Sequence, residues 1–178
     1  MGQLKKGIFP FDHSADYHTE NFDCGSEELN RFLKTQLARQ HKLNVLRANV
    51  LLTDEPVPEI MGYYTLSGGC YEKAGMSSKR RREVPYENAP CILLGRLAVD
   101  RRIAGRGFGS MLVAHAAKRV YQAAQSVGVY SLYTEAKDEQ AAGFYQQLGF
   151  TRLTTTDGKL MYFCPVNAIE PLIDLYPF

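Results

Sequence analysis

Little in this chain marks it for a membrane, a disulfide scaffold or a metal. Its 178 residues contain no run of about 18 or more consecutive apolar residues, so no transmembrane helix is expected. The opening Met1-Gly2-Gln3-Leu4-Lys5-Lys6 is not followed by a long apolar segment, which argues against a secretory signal. Only four cysteines occur, Cys24, Cys70, Cys91 and Cys164, at irregular spacings and without a C-x-x-C pair. That pattern disfavours a zinc site or a disulfide framework and fits reduced thiols in a cytoplasmic protein. No metal ligand set is predicted. The net charge is only +2, which does not by itself demand a nucleic-acid partner.

The distribution of charge says more than its sum. Lys79, Arg80, Arg81 and Arg82 form an unbroken basic run. Arg31, Lys34, Arg39, His41, Lys42 and Arg47 form a looser group, and Arg101, Arg102 and Arg106 a third. Basic clusters on a nearly neutral chain imply a face directed at an anion, against the plainer alternative of a solvated surface run.

The length suits one domain, spanning residues 1–178, with a single substantial core. The first twenty residues carry no clear pattern. Asp23-Cys24-Gly25-Ser26 suits a helix entry, and Leu29, Phe32, Leu33 and Leu37 recur at helical spacing, predicting a helix over 26–41. Strands follow over 45–52 and 60–67, joined by a turn whose Pro56 and Pro58 exclude a central strand. Residues 68–90 read as a mobile, loop-like or loosely helical segment. The nearly continuous apolar run Cys91–Val99 predicts a strand buried on both faces. A long helix is expected over 107–126, a strand over 127–135, and a short helix over 140–148 stopped by Gly149. Strands starting at Phe150 and over 160–164 and a short helix within 167–175 complete the order. The fold class is α/β with a mixed, mostly antiparallel central sheet flanked by helices, and the strand–helix–strand unit over 92–135 should be parallel.

Between strand and long helix lies Arg102-Ile103-Ala104-Gly105-Arg106-Gly107-Phe108-Gly109. Glycines at 105, 107 and 109 let the backbone bend and leave N–H groups free to converge on one anion, at the positive end of the following helix. Arg102 and Arg106 add cationic charge, and a pyrophosphate fits such a turn. The spacing is not G-x-G-x-x-G, no acidic residue stands about twenty positions on, and no G-K-[ST] follows, so dinucleotide-binding and P-loop turns are disfavoured. A glycine-rich turn without a ligand remains the plain alternative.

Arg102-x-x-Gly105-x-Gly107, after Leu97-Ala98-Val99-Asp100, resembles the coenzyme A signature of the Gcn5-related N-acetyltransferases, the GNAT family. Ala141-Ala142-Gly143-Phe144-Tyr145-Gln146-Gln147-Leu148-Gly149-Phe150 resembles the second signature of that family. Similarity to one subgroup, the tRNA-acetylating toxins of type II toxin–antitoxin modules, extends over about residues 21–165. It is carried by Asn21–Gly25, Leu29-Asn30-x-Phe32-Leu33, Arg39-Gln40-His41, Gly62–Leu66, Leu94–Asp100 and Val113–Ala116. Asp138 departs from that pattern, since those proteins often carry Asn there, and the full basic run at 79–82 is a second departure.

The resemblance implies a GNAT-like acyl-CoA N-acyltransferase fold and acetyl-CoA as co-substrate. It places the thioester and pantetheine arm on the backbone of Leu97, Ala98 and Val99. The pyrophosphate falls on Gly105, Arg106, Gly107, Phe108, Gly109 and Ser110, with Arg102 nearby. Tyr145 becomes the general acid for the departing thiolate, although as one of eleven tyrosines it could simply pack in the core. The base stays open between Glu135, Asp100 and water, and His115 reads as a packing residue of the long helix. The implied reaction is acetylation of the α-amine of aminoacyl-tRNA, which blocks translation, with Arg39, Lys42, Lys79, Arg80, Arg81, Arg82 and Arg96 on the RNA. A small amine, an antibiotic or a protein amine is the alternative acceptor, and a coenzyme A-binding module without catalysis is the non-enzymatic alternative. The resemblance further implies a ribbon-helix-helix antitoxin, operator DNA reached only through the antitoxin complex, and a homodimer.

Overall fold

The computed structural model describes residues 2–178. Seven strands form one sheet in the order β1-β2-β3-β4-β5-β7-β6: β1 Phe9–Pro10, β2 Arg47–Leu52, β3 Ile60–Glu72, β4 Asn88–Val99, β5 Ser131–Ala136, β6 Thr151–Leu153 and β7 Leu160–Pro165. Only the β4–β5 pair is parallel, joined through the long helix α4, Phe108–Ala123, as the apolar run and its following helix predict. Every other pair is antiparallel. β1 was not apparent in the sequence. It is two residues long, and its Pro10 is tolerated because the strand lies at an edge.

The helix predicted over 26–41 is two helices, α1 Glu27–Thr35 and α2 Leu37–Lys42. Ser26 caps α1 by accepting from the Leu29 N–H, and Glu27 and Glu28 favour its positive end. The break has a local cause. The Thr35 hydroxyl donates to the Arg31 carbonyl at 2.7 Å, a contact that bends helices, and Gln36 leaves helical geometry at φ −126°.

The segment 68–90 is more ordered than its composition suggests. β3 runs on to Glu72, a 3-10 turn covers Lys73–Gly75, helix α3 spans Ser78–Glu83, and β4 begins at Asn88. Gly69 pairs with Cys91 here and leaves room for Tyr133, whose hydroxyl would lie 2.8 Å from a Cβ at that position. Helix α5, Glu139–Gln147, and a four-residue helix α6, Glu170–Ile173, complete the set.

Strand alternation divides the core between the two faces of the sheet. Leu51, Tyr64 and Leu94 pack with Leu112, Val113 and Ala116 of α4 and with Tyr145 of α5. Val50, Leu52 and Tyr63 point the other way, onto Phe32, Leu33 and Leu37 of α1 and α2. A smaller cluster of Met76, Val84, Tyr133 and Phe163 lies by α3. Helix α4 approaches closely at Gly62, where an added Cβ would be 3.2 Å from the Ala98 carbonyl oxygen and 3.4 Å from Leu112.

Candidate active site

The site begins with a defect in the sheet. Thr65 pairs with Arg96 and Leu66 with Leu94, so Gly95 is an extra residue in β4 opposite no partner. Such a bulge bends and twists its strand. β5 stays in register with β4 only from Cys91–Ser131 to Leu94–Thr134, and beyond Leu94 the two strands part. The parting leaves a cavity of about 530 Å³ lined by Leu93, Leu94, Gly95, Arg96, Leu97, Thr134, Glu135, Phe144 and Tyr145, among others. At its apex the Thr134 hydroxyl donates to the Leu94 carbonyl at 2.9 Å.

Beyond the bulge, β4 turns alternate amides to opposite sides. The Asp100 N–H donates to the Met61 carbonyl of β3 at 2.9 Å. By alternation Ala98 also faces β3, while Leu97 and Val99 present their amides to the cleft. Of the three predicted backbone contacts, the geometry therefore brings Leu97 and Val99 to the cavity side and gives Ala98 to the sheet.

Continuing along the chain, Asp100 is 1% exposed and organises the turn. Its carboxylate accepts from the Asp23 N–H at 3.1 Å and from the Arg102 N–H at 2.9 Å, starting a 3-10 turn over Arg101–Ile103. Arg102 grips both oxygens of the same carboxylate, with Nε on one and Nη2 on the other at 2.9 Å each, and reaches Glu59 at 2.6 Å. Burial works against the charge on Asp100, but these hydrogen bonds hold its carboxyl below the usual carboxylate value. The bonds to Asp100 and Glu59 push the Arg102 guanidinium upward, so it stays charged. Arg102 is thus a brace under the turn, in contrast to the mobile cation its position suggests, and Asp100 has no free role as a base. Arg106 is exposed.

Gly105 and Gly107 take φ values of +77° and +83°, where a side chain would be strained. Gly109 lies within α4 with ordinary helical geometry. Gly107 is the N-cap of α4 and has no side chain to cap it. Its carbonyl receives the Met111 N–H at 3.1 Å, and the N–H groups of Phe108, Gly109 and Ser110 have no partner among the described residues. Three unpaired donors at the positive end of a four-turn helix form an anion cradle beside the parted strands.

Tyr145 stands on α5 at the cavity wall and is 5% exposed. The Asp138 carboxylate caps this helix by accepting from the Ala141 N–H at 2.8 Å, a task Asn performs equally well, so the departure at 138 leaves the helix intact. Gly149, at φ +95°, ends it. Phe144 and Phe150 hold the Tyr145 ring edge-on at 5.1 and 5.4 Å. Burial raises the phenol above its ordinary 10.0, with the Thr134 hydroxyl pulling the other way, so the group is protonated at neutral pH. Glu135 lines the same cavity and is exposed to solvent.

The basic residues divide. Arg96 stacks its guanidinium on the Phe32 ring at 3.6 Å at the edge of the cavity. Arg39 and Lys42 are exposed on α2. Lys79 to Arg82 lie on α3, near the start of β5 and the end of β7. There Arg80 bonds Glu83 at 3.0 Å and Asn167 at 3.2 Å, and Glu83 in turn meets Asn167 and the Tyr130 hydroxyl. The cavity opens at the other end of those strands, so the structure does not bring the run at 79–82 to it. His115 packs as expected, with Nδ1 2.6 Å from the Tyr64 hydroxyl and its ring against Tyr176. Sequence reasoning missed Thr134, Phe144 and the bulge. An isolated glycine inside an apolar strand, Gly95, was the available signal for the last of these.

Residues 52–152 match the family model described as "Acetyltransferase (GNAT) domain". A protein of Mycobacterium tuberculosis named tRNA-acetylating toxin is 34% identical over 137 residues, covering 77% of this chain and 80% of that one. The solved structure of AtaT complexed with acetyl-methionyl-tRNAfMet superimposes with a TM-score of 0.88 at 42% identity, covering 93% of this chain and 98% of the other. A tyrosine-to-phenylalanine mutant of the AtaT toxin, bound to the C-terminus of the antitoxin AtaR and acetyl-CoA, matches with a TM-score of 0.81 at 40% identity over 93% and 96%.

Proposed function

The chain belongs to the GNAT acetyltransferase family, and from that premise we propose that it transfers the acetyl group of acetyl-CoA to the α-amine of an amino acid carried on tRNA, blocking translation. The observation that carries the reading is the joining of two features: a parted β4–β5 pair with free amides at Leu97 and Val99, and an uncapped α4 with three free N–H groups at its start. No helix of the described residues is long and apolar enough to cross a membrane, and our reading places the protein in the cytoplasm.

In this reading the amides of Phe108, Gly109 and Ser110, with Arg106, hold the diphosphate. The β4 amides hold the pantetheine arm and polarise the thioester carbonyl, a type of donor that contributes roughly 3–4 kcal/mol. The incoming amine nitrogen forms the new C–N bond as the C–S bond breaks. Tyr145 gives its proton to the departing thiolate, and the amine gives its own to water or to Glu135. Asp100 is left out of this exchange because Arg102 and two backbone N–H groups occupy it.

The tRNA acceptor is supported by the relative named tRNA-acetylating toxin and by the AtaT complex with acetyl-methionyl-tRNAfMet. Arg96, Arg39 and Lys42 approach the acceptor from the α1–α2 side, and Lys79, Arg80, Arg81 and Arg82 contact a more distant part of the RNA through phosphates. A cognate antitoxin neutralises the enzyme, as the AtaT–AtaR complex suggests, and operator DNA is engaged only through that complex. Self-association as a homodimer belongs to the same proposal. The test is incubation with labelled acetyl-CoA and total aminoacyl-tRNA. Label is expected on charged tRNA and absent from deacylated tRNA. Label on polyamines or protein lysines with none on charged tRNA refutes the acceptor assignment.

A further inference from the structure

A second cavity, of about 490 Å³, opens at the far end of α4 from the anion cradle, between that helix, the start of β2 and the middle of β3. Three of its features are unexplained by acetyl transfer. Asn49 lines it, is 4% exposed, and its Oδ1 has no hydrogen-bond partner. Buried polar atoms are nearly always paired, so an orphaned amide oxygen beside a cavity points to an absent donor. Arg47 and Arg119 stand at the rim with no carboxylate partner among the described residues. Arg47 touches only the Asn44 side chain at 3.2 Å and the His41 carbonyl at 3.5 Å. Leu66, Ile92 and Ala123 add apolar surface to the same lining.

The occupant must combine an anion, a flat apolar body and an N–H donor. Guanidinium groups match phosphate oxygens, and an Asn amide matches the paired donor and acceptor on one edge of adenine. We infer that this cavity binds an adenosine monophosphate unit, with Arg47 and Arg119 on the phosphate and Asn49 on the base. The unit comes either as a free nucleotide or as one nucleotide of an RNA strand. The inference stands apart from acetyl transfer, since no residue of the proposed catalytic site contributes to it.

Gly68 offers a means of closing the cavity. It lines the wall, its φ is not positive, and a Cβ there meets nothing within 4 Å, so Gly68→Phe fills the space without straining the backbone. The experiment is calorimetric titration of AMP into the full chain loaded beforehand with one equivalent of acetyl-CoA, which occupies the other site and leaves no excess adenosine phosphate to compete for this one. GMP and inorganic phosphate serve as parallel probes. A short oligoadenylate RNA is the second arm. One-to-one binding of AMP, tighter than GMP or phosphate, is expected. Gly68→Phe and the Arg47→Ala, Arg119→Ala double variant should each weaken it about tenfold or more. Unchanged thermal melts establish that these variants are folded. Binding of oligoadenylate but not AMP, lost in the same variants, assigns the unit to RNA and supports the site. Absence of binding by both, binding indifferent to the variants, or phosphate binding as tightly as AMP overturns it.

Discussion

The Tyr64 hydroxyl and His115 Nδ1 lie 2.6 Å apart in the layer between β3 and α4. Burial pushes the Tyr64 phenol up and the imidazole down, the latter to about 4 from an ordinary 6.5. The hydroxyl is therefore paired with a neutral ring. The unfolded chain binds a proton at this histidine below pH 6.5 and the folded chain resists until about pH 4. The stability owed to this histidine is consequently full above pH 6.5 and is lost as the pH drops toward 4, by on the order of 3 kcal/mol at most. Denaturant unfolding between these limits should show this loss, and His115→Gln should lessen it, leaving the part owed to the buried His41, whose imidazole burial also pushes down. An identical pH dependence in the variant contradicts the assignment.

Tyr145→Phe is expected to lower kcat about 10²–10⁴-fold while leaving acetyl-CoA affinity within a factor of about two. Because burial keeps the phenol above 10.0, the wild-type rate should show no alkaline limb below that pH. Single-turnover kinetics with charged tRNA separate chemistry from binding. A variant with unchanged chemistry makes Tyr145 a packing residue.

Arg102 and Arg106 should behave oppositely. Arg102→Ala leaves Asp100 and Glu59 without their cation, and after allowance for the partial exposure of the arginine the fold should lose about 2–3 kcal/mol. Arg106→Ala should leave the melting temperature unchanged and weaken acetyl-CoA binding several-fold. Thermal melts and calorimetry on both variants read the contrast, and a destabilised Arg106 variant with intact affinity reverses it.

Alanine at Lys79, Arg81 and Arg82 together should raise KM for charged tRNA and leave kcat nearly untouched, since α3 sits away from the cavity. The difference from wild type should shrink as salt rises, because each lost phosphate contact lowers the salt slope by roughly one. Equal salt slopes for the two proteins remove this helix from the RNA interface.

What was legible in the sequence was local chemistry. The apolar run of β4, the spacing of Leu29, Phe32, Leu33 and Leu37, and Gly149 after α5 all act within a few residues, and the structure has a strand, helical turns and a helix end at those places, although β4 is half-buried where it leaves β5 and Leu37 opens a second helix. The two signature segments likewise flank one strand: the second lines the cavity through Ala141, Phe144 and Tyr145, and the turn that follows the first lies beside it, with Gly109 facing Phe144. What was hidden depended on partners far along the chain. Arg102 looks like a ligand-binding cation until Glu59, 43 residues earlier, arrives beside it. The close approach of Gly69 to Tyr133 joins residues 64 positions apart in the numbering and two strands apart in the sheet. The break at Gln36 came from one hydroxyl, too fine a signal for apolar periodicity to carry.

The divergence of β4 from β5 gives this sheet an edge in its interior. Elsewhere an edge is a hazard, since a row of unmatched amides recruits any extended chain that passes. Here the row is short, lies between two covered faces, and ends at a positive helix tip. A molecule that is amide-bearing along its length and anionic at one end can fill the gap as a temporary eighth strand. Whatever slots in that way stitches the two halves of the sheet together, so the protein should be measurably harder to unfold and slower to exchange its β4 amides when charged with its acyl donor than when bare.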